Sequence, residues 1–69
     1  MHWYCRVNGW YGEWTAYCVW APSEYRAIRK LTLYLIDVEG FSPDELEDVT
    51  AEMWNTFEHG DFNDYEVLS

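Results

Sequence analysis

Lysine and arginine are missing from more than half of this 69-residue chain: from Leu31 onward there are none. Arg6, Arg26, Arg29 and Lys30 all precede that point, and with Glu13 and Glu24 they leave residues 1–30 at +2. The remainder carries eleven carboxylates, Asp37, Glu39, Asp44, Glu45, Glu47, Asp48, Glu52, Glu58, Asp61, Asp64 and Glu66, for a formal net charge of −9 overall. Such a balance argues against direct binding to nucleic acid or to an anionic membrane, whose phosphates would be repelled. A basic protein surface is the natural complement. Cysteine is scarce too. Cys5 and Cys18 are too few for a disulfide framework and lack the spacing of a zinc site, so no cofactor and no metal are expected. No apolar run approaches the ~18 residues of a membrane span, and MHWYCRVNG lacks the basic region and apolar core of a signal peptide, which leads to the expectation of a cytoplasmic protein.

What the chain has in quantity is aromatic surface. Half the residues are hydrophobic and one in five is aromatic, too apolar for a disordered acidic tail. Aromatic side chains bury ~150–250 Å² each and can compensate for a length near the lower limit for a stable core. Residues 1–69 are therefore read as a single domain.

His2 to Asn8 and Glu13 to Ala21 are rich in Trp, Tyr, Val and Thr and read as an aromatic hairpin. A turn at Tyr11-Gly12, or a wider loop over Gly9 to Gly12, is preferred to one at Asn8-Gly9, which would leave the first strand short. The Tyr11-Gly12 turn would set Cys5 across from Cys18 and Trp3 across from Trp20. A disulfide would then be conceivable, although buried free thiols are the simpler account. Ser23 is a good N-cap, and Ile28, Leu31, Leu35 and Val38 step at helical period, predicting a helix from about Ser23 to Glu39 that ends at Gly40. LTLYLIDV also alternates partially, so a strand over 31–38 is the competing reading.

Ser42 to Gly60 reads as a second helix. Ser42 and Glu45 form a capping pair, Pro43 sits at the first helical position, and Leu46, Val49, Met53 and Phe57 recur at three, four and four. On that helix Asp44, Asp48 and Glu52 would form a line rising ~6 Å per step, broadened by Glu45, Glu47 and Glu58. Tyr65-Glu66-Val67 alternates as a short strand that would close the sheet. The expected fold is α+β, a small antiparallel sheet with two helices packed on one face, in the order ββααβ.

An enzyme is not expected. Neither His2 nor His59 has an identifiable nucleophile, and carboxylates on a solvated helix face lack the environments that separate an acid from a base. DELED and DFNDYE lack the glycine turn and ligand spacing of an EF-hand. Like charges at i, i+4 cost a helix ~0.2–0.5 kcal/mol each, and no cation is interleaved to relieve them.

In size and in the carboxylate density of Asp37 to Glu66, the chain resembles the small acidic phage and mobile-element proteins that mimic DNA, the anti-CRISPR and anti-restriction inhibitors. The resemblance implies a stoichiometric inhibitor that occupies the basic DNA-binding groove of a host defence complex, a CRISPR effector or a restriction enzyme, in the host cell cytoplasm. By that resemblance Asp44, Glu45, Glu47, Asp48 and Glu52 would stand in for phosphates, with Asp37, Glu39, Glu58, Asp61 and Asp64 as a second row. The alternative is an acidic protein-interaction module, an antitoxin or adaptor, binding through exposed hairpin aromatics such as Trp10 and Trp14.

Overall fold

A computed structural model of the chain describes residues 1–8, 12–46 and 48–69. Strands β1 (His2–Asn8) and β2 (Trp14–Trp20) form the hairpin, and helix α1 (Glu24–Asp37) follows. A 3₁₀ turn (Pro43–Glu45), β3 (Val49–Met53), the single-turn helix α2 (Thr56–His59), a second 3₁₀ turn (Phe62–Asp64) and β4 (Glu66–Leu68) complete the chain. The class is α+β, as expected. The sheet, however, is mixed: its order is β3-β1-β2-β4, with β4 parallel to β2.

Trp3, Cys5 and Val7 alternate along β1 and are buried, and their cross-strand partners Val19 and Tyr17 join them on the same face. Ala27, Leu31 and Leu35 of α1, spaced at four, cover that face. Trp3 satisfies its buried indole N–H on the Ala21 carbonyl at 3.0 Å. Leu31 to Val38 is helical apart from its last residue, the C-cap, so the helix reading of this stretch holds over the strand. Ser23 caps α1 by accepting the Arg26 N–H at 3.2 Å, and Gly40 takes φ +78 just beyond the helix end. Val38, expected in the buried stripe, is instead exposed.

The hairpin register differs by one residue from the expected one. Cys5 faces Tyr17 and Tyr4 faces Cys18, so the two thiols lie on opposite faces of the sheet and cannot bridge. The one-residue difference is decided by burial, because this register puts Trp3, Cys5 and Val7 on one face with Tyr17 and Val19. Gly9, Trp10 and Tyr11, on which the turn was placed, lie outside the described residues, as does Glu47.

The second long helix does not form. Ser42 and Glu45 make the expected capping contacts, but helical geometry ends at Leu46 after a single 3₁₀ turn. Val49-Thr50-Ala51-Glu52-Met53 also alternates with period two, and as a strand it satisfies its backbone on β1 while Val49 and Ala51 pack toward the core. Met53 and Phe57, assigned to a buried stripe, are exposed, Phe57 completely. Asn55 then caps α2 by accepting the Phe57 N–H at 2.9 Å. α2 is not on the α1 side: His59 stacks on Tyr4 at 3.9 Å, on the face opposite Trp3 and Cys5. Trp54 and Tyr65 meet Tyr4 edge-on, Phe62 stacks on His2 at 4.5 Å, and Cys18, beside Tyr4, is fully buried. Residues 54–65 thus build a small aromatic layer on the second face. No helix among the described residues is long and apolar enough to cross a membrane.

Candidate functional site

The carboxylates singled out by the sequence do not stand in one line, because the rod that would carry Asp44, Asp48 and Glu52 is a turn, a connection and a strand. They gather instead in groups. Asp37 ends α1, exposed, and Glu39 follows it. Asp44 and Glu45 occupy the first 3₁₀ turn, where Glu45 accepts the Ser42 N–H at 3.3 Å. Asp48 precedes β3, and its carbonyl accepts the Asn8 N–H at 3.3 Å. Asp61 caps the second 3₁₀ turn by accepting the Asn63 N–H at 2.9 Å, and Asp64 closes that turn.

Two pairs are drawn close. Tyr34 of α1 places its hydroxyl 3.2 Å from Glu39 Oε1 and in hydrogen-bond contact with Glu66 Oε1, so one phenolic proton is shared between two carboxylates. The hydrogen bond to Glu66 leads in pushing the Tyr34 hydroxyl well above the ordinary tyrosine range, followed by desolvation and the Glu66 and Glu39 charges. Tyr17, 6.2 Å away ring to ring, is raised as well, by burial first and then by the same two carboxylates. Both phenols therefore stay protonated and neutral.

The second pair is Glu52 and Glu58, gathered at His59, with the oxygens and the ring nitrogen within 4.8 Å of one another. His59 is well shielded, and its two bonds assign its tautomer. Nδ1 accepts the Asn55 N–H at 3.0 Å, so Nε2 carries the proton and donates to Glu52 Oε1 at 2.8 Å. This arrangement does not suit a metal ion. A cation at Nε2 would require the ring proton to move to Nδ1, where it would face the Asn55 N–H.

A common pattern emerges. Among the described residues the basic side chain that carboxylates meet is the neutral His59, which contacts Glu52 and, at 4.0 Å, Glu58; no carboxylate meets a lysine or arginine. The carboxylates are positioned by neutral donors: a phenol, an imidazole N–H and backbone amides. Arg6 lies over the Trp14 ring at 5.0 Å, and the other three cations are on α1. Glu52 and Glu66 sit on the two edge strands, separated by three strand spacings or about 14 Å, on opposite faces of the sheet.

Sequence reasoning named most of the acids but left Glu66 out of the candidate site and missed Tyr34 and His59 as the groups that position them. Tyr34 and Glu66 are 32 residues apart, and nothing local signals their contact. Compared with protein-family models, curated proteins and solved structures, the chain has no match.

Proposed function

We propose that the chain is a stoichiometric inhibitor, an acidic DNA mimic that enters the basic DNA-binding groove of a host defence complex, such as a CRISPR effector or restriction enzyme, and blocks target DNA. The observation that carries this reading is that clustered carboxylates are fixed in place by neutral donors, and among the described residues none is paired with a lysine or arginine. Nine net charges over the 32 Å long axis amount to one per about 3.6 Å, about half the density of duplex DNA at one per ~1.7 Å. The two clusters lie on opposite edges and opposite faces of the sheet, so negative charge is presented on both sides of the molecule. A cleft that grips a duplex from both sides would meet charge on both edges of this protein.

The test is binding to purified defence complexes with competing duplex DNA, across a salt series. Mimicry requires mutual exclusion with DNA and an affinity that falls steeply with salt. Replacing Glu39 and Glu66 with lysine, or Glu52 and Glu58 with lysine, should each weaken binding in a protein that remains folded by circular dichroism. A complex that holds this protein and duplex DNA together would sink the proposal.

Exposure of Trp14, Met53 and Phe57 favours a second reading, a protein-interaction module of antitoxin or adaptor type. Under that reading Trp14→Ala or Phe57→Ala costs more affinity than any of the charge reversals.

A further inference from the structure

Three of the four basic side chains share one cleft. Arg26, Arg29 and Lys30 rise from α1 at positions i, i+3 and i+4, and Leu33 continues the same face at i+7. Trp20 and Pro22, from the end of β2 and the link to α1, close the other side around a space of about 290 Å³. No carboxylate lines it. In a chain with thirteen acids, this isolation of its cations requires an explanation.

Two further features show a cleft already shaped. Lys30 Nζ donates to the Trp20 carbonyl at 2.9 Å, which pins the ammonium at the rim. Leu33 is half-exposed and, with Ala21 and Pro22, lines the cleft with apolar surface. The cleft therefore offers an apolar floor and a cationic rim.

We infer that this cleft binds a small aromatic anion, its ring on Pro22 and Leu33 and its charged group between Arg26, Arg29 and Lys30. The chemistry selects both halves of that ligand. A bare inorganic anion would leave the apolar floor unused, and a neutral ring would leave the cations unpaired. Size is limited by the rest of the molecule. Charges beyond a Debye length of ~8 Å at physiological salt are largely screened, so a compact anion feels the local cations. A polyanionic strand running past the cleft would meet the acidic body instead.

The experiment is an amide chemical-shift titration of the ¹⁵N-labelled protein with phenyl phosphate, inorganic phosphate and benzyl alcohol. Phenyl phosphate should give saturable shifts confined to residues 20–33, with inorganic phosphate and benzyl alcohol at least tenfold weaker. Each exposed cation contributes a factor of about two to five, so Arg26→Gln with Arg29→Gln should weaken phenyl phosphate by about tenfold, with the rest of the spectrum unchanged. Absence of saturable shifts at 20–33, equal affinity for inorganic phosphate or for benzyl alcohol, or undiminished binding by the double variant would each overturn the inference.

Discussion

Replacing Glu58 with lysine should make the protein more stable, and only at low salt. Glu52 and Glu58 oxygens lie within 4.8 Å, and both side chains are more than half exposed, at 62% and 70%, so the dielectric of water applies. At that distance two unit charges repel by about 0.9 kcal/mol before screening. With Debye lengths of ~30 Å at 10 mM and ~3 Å at 1 M, the repulsion becomes about 0.7 and 0.2 kcal/mol. Reversing one charge turns repulsion into attraction of similar size, a change of about 1.5 kcal/mol at 10 mM and about 0.3 kcal/mol at 1 M. An acid in the first turn of α2 favours the helix dipole, and its loss subtracts about 0.5 kcal/mol at low salt.

The net gain is about 1 kcal/mol at 10 mM, which for a domain of this size raises Tm by about 4–8 °C and vanishes near 1 M. Thermal melts of both proteins by circular dichroism, from 10 mM to 1 M NaCl, measure it. A variant that melts lower at 10 mM, or whose advantage persists undiminished at 1 M, refutes the claim that this pair is an uncompensated like-charge contact. If the acidic surface also binds a partner, the same substitution weakens binding, and opposite signs in stability and affinity mark a group kept at the expense of the fold.

Other outcomes follow from the same structure. Leu31→Ala, at a fully buried position, should cost about 2–5 kcal/mol in urea unfolding, whereas Phe57→Ser, at a fully exposed one, should stay within about 0.5 kcal/mol. His59→Phe keeps the stack on Tyr4 but loses two hydrogen bonds, so His59→Ala should be the less stable of the two by about 0.5–1.5 kcal/mol; equal melts would mean the stack contributes nothing. Burial, with a smaller contribution from Cys18, pushes the Cys5 thiol up to about 12 from 9.0, and burial raises Cys18. Because the folded thiol holds its proton longer than the unfolded one, its contribution to stability is complete below pH ~9 and is lost as pH rises through about 12. Neither thiol should react with iodoacetamide at pH 8 until the protein unfolds, and alkaline unfolding followed by circular dichroism should fall in that window.

The parts of the fold that the sequence made legible are those decided within a few residues. Ser23 as a cap, Gly40 as a terminator and the Ser42–Glu45 pair all do locally what their chemistry predicts. Ser42 to Gly60 went wrong because its first turn and its apolar period both support a helix, while its true state depends on pairing with β1, which no local pattern encodes. Two signals pointed the other way: the period-two run VTAEM and Asn55, a second cap inside a supposedly continuous helix. The hairpin register failed for a related reason. Turn residues narrow the choice, but a one-residue slip is settled by which side chains reach the core. For the candidate site, the acids were legible by composition, whereas their grouping by Tyr34 and His59 is a property of the folded chain.

A protective role must be weighed against a functional one for these groups, because Glu52 and Glu66 lie on the two edge strands, where a charge discourages pairing with another chain. Edge protection needs one charge per edge, of either sign. Here each edge acid is joined by a second: Glu58 arrives on α2 beside Glu52, and Glu39 beyond α1 reaches the hydroxyl that holds Glu66. A lysine at 58 or 39 would protect the edge equally well and would turn repulsion into attraction. Doubling the negative charge and holding it with a neutral donor serves neither the edge nor the fold. It does suit a surface that must present dense negative charge to a cationic cleft, and that is why Glu58, rather than Glu52, is the residue whose reversal separates the two roles.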